Sequence, residues 1–264
     1  MDIIRFKHND HCKYGIIKTK DILEELNDNI FEEIVKTGKE ISLDEVESLP
    51  CVSPGKIIGI GLNYLDHIKE SGLEVPENPY VVFRPPSSIN TDGKEVIINH
   101  PEHFVQFEGE LVVVMGKKCK NINEKEIDDY IFAYTCGNDI TDKYYFKRDG
   151  HFGIAKAFDT QCIVGSIMKT DFDPHNKSIK TYVNDKIRQS GNTNDMVFNI
   201  RFLISYLSKI MTLFPGDIIF TGSPAGNDNL ENGDEVVVEI ENLGKIKNKI
   251  IKQRWRNGRK KCKK

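Results

Sequence analysis

Beyond residue 52 the chain breaks into many short runs of apolar and β-branched residues, separated by turns that contain Gly, Pro or Asn. Runs of this length are typical of strands, and frequent turn residues between them favour sheets that pack on one another. The predicted strands cover residues 56–61, 80–83, 95–98, 110–115, 163–167, 178–183, 217–220, 235–241 and 244–251. Helical spacing of apolar residues is confined here to 64–72, 124–131 and 198–210. The sequence therefore predicts a mainly β (α+β) domain, sandwich-like or roll-like, with few helices.

The first 52 residues form a separate region of the sequence. Apolar runs around Ile3 and Ile16 predict strands, and residues 22–35 have apolar residues at helical spacing. The segment 51–55 then interrupts secondary structure with Pro54 and Gly55. We predict a small N-terminal α/β appendage over 1–52, a main domain over 53–251 and a basic tail over 252–264. The tail is expected to be solvated, with contact to RNA or an anionic surface as the alternative.

Charge and cysteine content argue against several classes of protein. Lys and Arg number 37 against 40 Asp and Glu, a balance that argues against a dedicated nucleic-acid binder. No apolar run approaches the length of about 20 residues that a membrane span needs, and the N-terminus lacks the apolar core of a signal peptide. The six cysteines are scattered without zinc-site spacing and are expected to be reduced. These features predict a cytoplasmic protein with no membrane partner.

Two glutamates stand one residue apart at the head of a predicted buried strand, in the segment FEGELVVV at 107–114. Alternate side chains of a strand share a face, so Glu108 and Glu110 are expected to point the same way. Two like charges beside apolar residues are costly unless a proton or a cation neutralises them. A hard divalent metal ion is the sharper interpretation, and a solvated face on an edge strand is the ordinary one.

A third carboxylate, Asp139, stands in a Gly-Asn-Asp turn after a short apolar stretch. Alone it fits a turn aspartate or a helix cap. If it meets Glu108 and Glu110, the three carboxylates form an all-oxygen site suited to Mg²⁺, with Mn²⁺ or Ca²⁺ as alternatives.

Three further features carry reactive groups. His67 and Glu70 are three residues apart on a predicted helix, where the carboxylate can orient the imidazole as a general base, although a surface ion pair fits equally. Lys156 lies between small and aromatic residues; beside a metal its ammonium would hold a carboxylate or an enolate, and a surface lysine is the alternative. The loop 221–226 offers free amides and the Thr221 hydroxyl to anionic oxygens, or is a plain tight turn.

Taken together and in this order, these segments resemble the fumarylacetoacetate hydrolase family, especially its smaller acylpyruvase-like members. The resemblance spans about residues 52 to 250 and rests on a colinear set of motifs. They are PGKIIGIGLNY at 54–64 with His67 and Glu70, FEGELVVVMGK at 107–117, GNDIT at 137–141, KAFDT at 156–160, VND at 183–185 with Arg188, Gln189 and Met196, and the stretch from LFPGD at 213–217 to Gly226.

The resemblance implies a site and a fold. Glu108, Glu110 and Asp139 would bind Mg²⁺, His67 and Glu70 would lie on a lid segment, and Lys156 would be an active-site lysine. The fold would be the family's mixed β-roll, commonly a homodimer. Substrate contacts would come from Asn63, Tyr64, Arg84, Lys143, Gln189 and Thr221.

The chain departs from the family pattern at several positions. Lys143 stands where many relatives have arginine, Ser223 where they have threonine, and Ile163 and Ser166 replace two common prolines. A lysine lacks the bidentate carboxylate recognition of an arginine, so these departures bear most on the identity of the substrate.

The activity that the resemblance implies is Mg²⁺-dependent hydrolysis of a carbon–carbon bond in an acylpyruvate or a related 2,4-dioxo acid. Water polarised by His67, itself held by Glu70, would attack the distal carbonyl, and Lys156 with the metal would stabilise the enolate that leaves. The same site would serve decarboxylation or tautomerisation of oxaloacetate, or isomerisation of 2-hydroxyhepta-2,4-diene-1,7-dioate. A catalytically silent interaction protein is the alternative of a different class, and it predicts no metal binding.

Overall fold

The computed structural model describes residues 1–254, which form mostly β-structure. The strands are β1 (Asp2–His8), β2 (His11–Ile17), β3 (Ile22–Leu26), β4 (Lys36–Ser42), β5 (Glu47–Ser48), β6 (Ile57–Gly61), β7 (Tyr80–Arg84), β8 (Ile89–Thr91), β9 (Glu95–Ile98), β10 (Val105–Gln106), β11 (Gly109–Met115), β12 (Ile131–Asp139), β13 (Thr141–Asp142), β14 (Cys162–Val164), β15 (Ile167–Lys169), β16 (Ser178–Val183), β17 (Lys186–Asn192), β18 (Ile218–Phe220), β19 (Glu235–Ile240) and β20 (Gly244–Lys252). The α-helices are α1 (Leu65–Ser71), α2 (Lys143–Asp149) and α3 (Ile200–Ile210), and short 3-10 helices cover Leu43–Glu45, Pro86–Ser88, Glu124–Tyr130 and Thr193–Asp195.

Two large sheets dominate the fold. The larger has 13 strands, ten of them in the order β4-β3-β2-β1-β15-β12-β11-β18-β6-β7. Of the other three, β5 pairs with β1, β14 with β12, and β8 with β14. The smaller has five strands in the order β17-β16-β19-β20-β9, and β10 pairs separately with β13. Most neighbours are antiparallel, as in hairpin-connected sheets, and β18 runs parallel to β6. The prediction of a mainly β, roll-like domain with few helices is confirmed.

Strand β11 lies at the centre of the large sheet, and all seven of its residues are buried. Val113 packs in one apolar cluster with Ile179 and Val238 of the five-stranded sheet, whereas Val112 packs in another with Ile3 of β1. The strand is therefore covered on both faces, as its continuous apolar sequence indicates.

The predicted elements of the main domain occur, with small shifts of their ends. The segment 163–167 divides into β14 and β15, and residues 124–130 form a 3-10 helix. Helix α3 begins after Asn199, whose side chain accepts a hydrogen bond from the amide of Phe202 at 2.9 Å. Helix α2 is absent from the sequence prediction, although Asp142 caps it and Gly150 ends it in the left-handed conformation.

The helix predicted over residues 22–35 is wrong. Residues Ile22–Leu26 form β3 between β2 and β4, and within residues 1–52 the only helical segment is the short 3-10 turn Leu43–Glu45. Asn27 then closes the following loop, because its backbone amide donates to the carbonyl of Val35 at 2.9 Å and its side chain accepts from the amide of Val35 at 3.1 Å. Pairing with neighbouring strands thus overrides the local helical spacing.

Three other expectations concern membrane spans, the C-terminal tail and the cysteines. Among the described residues, no helix is both long enough and apolar enough to pass through a bilayer. Residues 255–264, which hold most of the basic tail and Cys262, lie outside the described part of the chain. The five described cysteines are free thiols, and Cys12 is the exposed one among them.

Candidate active site

The three predicted metal ligands lie together at one end of the β11–β12 pair. Glu108 precedes β11, Glu110 is its second residue, and Asp139 ends β12. Gly109 pairs with Asn138, and the amide of Asp139 donates to the carbonyl of Glu108 at 2.8 Å, which locks this end of the ladder. One carboxylate oxygen from each acid lies within 4.8 Å of the other two. The placement predicted from strand alternation is therefore what the fold produces.

Two glycines allow this close packing. A Cβ on Gly137, opposite Glu110, would lie 2.5 Å from carbons of Phe220 and Val112. A Cβ on Gly109 would lie 2.1 Å from the hydroxyl of Thr181 in the five-stranded sheet. Side chains at these two positions would separate the strands that carry the carboxylates.

Two cations reach the carboxylates from other parts of the chain. The ammonium of Lys156 donates to Glu108 Oε2 at 2.9 Å and to Asp139 Oδ2 at 2.5 Å. The guanidinium of Arg84, at the end of β7, forms a buried ion pair with Asp139 Oδ1. Lys156 is 4% exposed and Arg84 is 3% exposed, so both charges depend on these partners.

The two glutamates differ in their electrostatic environments. Burial raises the pKa of Glu110 to about 8, and the nearby charge of Glu108 adds to this rise. Burial also opposes ionisation of Glu108, but Lys156 and the Gln106 amide outweigh it and lower the pKa of that carboxyl. The amide of Gly222 donates to Glu110 Oε2 at 2.6 Å and partly offsets its burial. Glu110 thus remains the carboxylate in greatest need of a counter-charge.

The carboxylate set fits a hard divalent cation. Two buried carboxylates, Glu110 and Asp139, and the half-buried Glu108 offer only oxygen donors, which Mg²⁺, Mn²⁺ and Ca²⁺ prefer. Burial of Glu110 beside Glu108 disfavours its ionised form, and a cation would relieve that cost. The residues present therefore fit the metal that the sequence implies, although the donor set does not select one ion among the three.

A cavity of about 510 Å³ opens above the carboxylates between α1 and α2. Its lining includes His67 and Glu70 from α1, Lys143 and Phe146 from α2, and Glu108. A smaller space of about 40 Å³ below it reaches Asp139 and Lys156 and shares His67 and Glu108 with the first. Burial lowers the pKa of Lys143, which the charge of Glu108 partly counters. Glu108 is therefore the carboxylate that reaches the large cavity, Asp139 reaches only the smaller space, and Glu110 lines neither. The two short helices form walls of the large cavity.

His67 and Glu70 are adjacent, but they do not form a hydrogen bond. His67 Nδ1 lies 3.6 Å from Glu70 Oε2, which is beyond hydrogen-bond length. The Glu70 carboxylate instead accepts from the amide of Gly226 at 3.1 Å. Asp66 Oδ2 likewise accepts from the amide of Ala225 at 3.2 Å. The carboxylates of α1 thus attach this helix to the glycine-rich loop.

Of the six residues expected to contact substrate, Lys143 lines the large cavity and the other five line neither space. Gln189 is fully buried; its carbonyl accepts from the amide of Gly109 at 2.9 Å and its amide donates to the carbonyl of Pro224 at 2.7 Å. Asn63 spans Thr221 and Phe198 in the same way, with its amide 2.7 Å from the Thr221 carbonyl. The Thr221 hydroxyl donates to the carbonyl of Leu111 at 2.9 Å. Gln189 and Thr221 thus hold the loop against β11, and Asn63 ties it to the segment before α3.

The remaining two have different surroundings. Tyr64 is fully buried at the start of α1, its hydroxyl has no hydrogen-bond partner among the described residues, and burial raises its pKa. Arg84 donates from Nη1 to the carbonyl of Ile140 at 3.3 Å in addition to its ion pair with Asp139. Arg84 therefore supports a metal ligand rather than the cavity wall.

Strand alternation predicts Gln106 on the same face as the two glutamates, and its amide donates to Glu108 Oε1 at 2.8 Å. Sequence reasoning missed two aromatic residues of the site. Phe152 lines both spaces, with the Lys156 ammonium 5.4 Å from its ring centroid. Tyr80 stacks edge-on against Phe152, with centroids 5.8 Å apart. No periodic pattern marks these two rings, because they come from β7 and from the loop after α2.

The chain is similar to known proteins over most of its length. A family model described as fumarylacetoacetate (FAA) hydrolase C-terminal matches residues 56–251, and one described as Rv2993c-like, N-terminal, matches residues 1–50. The chain is 39% identical over 213 residues to the oxaloacetate tautomerase Fahd2a, mitochondrial, of Rattus norvegicus, covering 76% of this chain and 68% of that protein. It is 36% identical over 203 residues to the 4-hydroxyphenylacetate degradation bifunctional isomerase/decarboxylase of Escherichia coli, covering 75% of this chain and 47% of that protein.

A solved structure extends the similarity to the fold. The 5-carboxymethyl-2-hydroxymuconate delta-isomerase from Mycobacterium smegmatis superposes with a TM-score of 0.90 at 30% identity, covering 96% of this chain and 100% of that one. The sequence match, the shared fold and the buried carboxylate cluster agree with one another. The chain belongs to the fumarylacetoacetate hydrolase family.

Proposed function

We propose that this protein is a divalent-metal-dependent enzyme that acts on a small 2-oxo acid through its enolate. The reaction that the site supports best is tautomerisation or decarboxylation of an oxaloacetate-class substrate. One observation carries the proposal: the Lys156 ammonium lies between Glu108 and Asp139, at the floor of a cavity whose wall carries His67.

The roles follow from charge and position. A divalent cation held by Glu108, Glu110 and Asp139 would act as a Lewis acid toward the 2-oxo acid end of the substrate. The ammonium of Lys156 would stabilise the negative charge that develops on the substrate oxygen as the enolate forms. Because Lys156 is almost fully buried, this charge would act in a medium of low dielectric, where it is worth more than in water.

His67 is the group best suited to move a proton. It lines both spaces above the carboxylates, and a single imidazole is enough to carry a proton to or from the carbon next to the 2-oxo group. Hydrolysis by the mechanism described above needs a second group, because the imidazole that activates water must be oriented by a carboxylate. Glu70 is bound to the amide of Gly226 instead, which favours proton transfer over hydrolysis. The names of the rat and E. coli relatives, a tautomerase and an isomerase/decarboxylase, support this preference for proton transfer over hydrolysis.

Hydrolysis of an acylpyruvate is the second candidate. His67 and Glu70 both line the cavity, and their nearest atoms are 3.6 Å apart. A movement of less than about 1 Å would bring them within hydrogen-bond length, which substrate binding can supply. The general base of a hydrolase would then be complete.

The test uses purified protein freed of metal with a chelator and then supplied with Mg²⁺ or Mn²⁺. Enol–keto exchange of oxaloacetate is followed by ultraviolet absorbance, decarboxylation by CO₂ release, and hydrolysis by pyruvate release from acetylpyruvate. We expect metal-dependent turnover of oxaloacetate that Lys156→Met reduces at least about a hundredfold, as loss of an electrostatic donor does in comparable sites. Absence of all three activities with either metal would refute the catalytic proposal.

Glu70→Gln separates the two candidates. If proton transfer is the main reaction, this variant retains most of its oxaloacetate activity, because His67 acts without the carboxylate. If hydrolysis dominates, wild-type protein prefers acetylpyruvate and Glu70→Gln loses that activity. A catalytically silent protein would show no activity and no metal binding, and Glu108→Ala would then change neither.

A further inference from the structure

A second cluster of ligand-type side chains lies outside the cavity, in the loop between β9 and β10. His100, Glu102 and His103 each offer one donor atom, and these atoms lie within 4.8 Å of one another. The amide of His103 donates to the carbonyl of His100 at 3.0 Å, so a tight turn brings both rings to the same place. The rings stack with their centroids 4.6 Å apart, and both are partly buried, whereas Glu102 is exposed.

Both imidazoles are oriented by side chains from a distant part of the chain. His103 Nδ1 lies 2.8 Å from Asp142 Oδ2, and His100 Nε2 lies 3.3 Å from the hydroxyl of Tyr145. Asp142 is buried and fixed, because its other carboxylate oxygen accepts from the amide of Tyr144 at the start of α2. A carboxylate on one ring nitrogen is the usual support of a metal-bound histidine, since it orients the ring and raises the basicity of the other nitrogen.

We propose that His100, Glu102 and His103 form a second metal site, specific for a borderline transition-metal ion such as Zn²⁺. Two imidazole nitrogens and one carboxylate oxygen suit Zn²⁺, Cu²⁺ or Ni²⁺, whereas Mg²⁺ prefers oxygen donors alone. The two clusters therefore differ in metal class, and this proposal does not depend on the catalytic one.

The geometry requires a local rearrangement. The two rings, now stacked with their planes 17° apart, would turn until their in-plane nitrogen lone pairs point at one ion. Ligands at about 2.0–2.1 Å from a tetrahedral ion lie about 3.3 Å apart, so donor atoms now within 4.8 Å would move together by up to about 1.5 Å. The loop can make this adjustment because Glu102 is exposed and residues 99–104 lie outside regular helix and strand. Asp142 would remain in place, as the cap of α2, while the ring that it holds turns.

The experiment is a calorimetric titration of Zn²⁺ into chelator-treated, full-length protein with Mg²⁺ in large excess. The excess Mg²⁺ competes with Zn²⁺ for the all-oxygen carboxylate cluster but not for nitrogen ligands, so the Zn²⁺ signal reports on nitrogen-containing sites. We expect one equivalent of Zn²⁺ to bind, and Glu102→Gln and His103→Asn to lower its affinity at least about tenfold. The asparagine can still donate to Asp142 but lacks the second ring nitrogen. Because Glu102 is exposed, Glu102→Gln should test the metal site with little effect on the stability of the fold.

Two variants act as matched controls. His11→Asn removes the exposed histidine of the pair that His8 and His11 form across the β1–β2 hairpin, and Glu110→Gln removes a ligand of the carboxylate cluster. Both should leave the Zn²⁺ affinity in excess Mg²⁺ unchanged. The proposal is overturned if Zn²⁺ binding survives both Glu102→Gln and His103→Asn, or if either control variant abolishes it.

Discussion

Replacement of Lys156 by methionine tests how much the ammonium of Lys156 stabilises the carboxylates of Glu108 and Asp139. Methionine has a similar length and no charge, so the change removes two hydrogen bonds, at 2.9 Å to Glu108 and 2.5 Å to Asp139, with little loss of volume. Loss of one partner from a buried ion pair costs about 3–5 kcal/mol, because the other charge is left buried without compensation. Asp139 keeps its pair with Arg84, whereas Glu108 loses its ammonium partner. We therefore expect the free energy of unfolding of the metal-free variant to fall by about 3–5 kcal/mol.

The assays are denaturant unfolding, which gives the free energy of unfolding, and thermal unfolding, which gives Tm. Both are followed by circular dichroism, first with a chelator and then with excess Mg²⁺. For chains of this size, about 3–5 kcal/mol corresponds to a fall of about 6–20 °C in Tm. Because a bound cation replaces the missing positive charge, Mg²⁺ should stabilise Lys156→Met more than it stabilises the wild-type protein.

Lys94→Met is the matched control. Lys94 pairs with Glu47 at 2.6 Å, but the side chains are 45% and 52% exposed, so its loss should cost about 0–1 kcal/mol. The reasoning is refuted if metal-free Lys156→Met unfolds within about 1 kcal/mol of the wild-type protein, or if Mg²⁺ stabilises both proteins equally.

Three other outcomes are expected. Glu110→Gln should abolish the rise in Tm that Mg²⁺ produces in the wild-type protein, because the amide cannot supply the charged oxygen ligand; an unchanged rise would argue against this site. In Cys262→Ser protein, a thiol reagent should label one native cysteine, Cys12, because the other four described thiols are buried; mass spectrometry would reveal labelling elsewhere. Gly226→Ala should lower activity at least about tenfold and destabilise the fold, because its φ is 98° and the new Cβ would lie 2.0 Å from a backbone carbonyl oxygen. Gly93→Ala is its control, with φ 76° and open space around it, and equal effects of the two changes on activity would contradict this reasoning.

The placement of the metal ligands could be predicted from the sequence because it depends on local geometry. Alternation along a strand places Glu108 and Glu110 on one face whatever the rest of the fold does. The predicted Gly-Asn-Asp turn is wrong, because these three residues end strand β12. Antiparallel pairing of β12 with β11 is what brings Asp139 to the same end of the sheet. The strand runs and the two longer predicted helices also follow from periodicity and from capping residues near their ends.

The helix predicted over 22–35 was wrong for the opposite reason. Its apolar residues have helical spacing, but pairing of β3 with the adjacent strands β2 and β4 stabilises the extended form, and the helical periodicity of one segment does not show that pairing. Local propensity is a weak prior where a sheet offers hydrogen bonds on both edges.

Only the tertiary structure assigned the roles of several polar side chains. Gln189 and Asn63 match motif positions, yet both bind backbone groups of the loop 221–226. Gln189 ties the loop to β11, and Asn63 ties it to the segment before α3. His103 meets Asp142 across 39 residues of sequence, and no local pattern indicates that contact. The sequence by itself determined which groups carry charge and which strand faces they share. The packing of the sheets decided which of those groups are buried and which partners they meet, because burial and long-range contact depend on the whole chain.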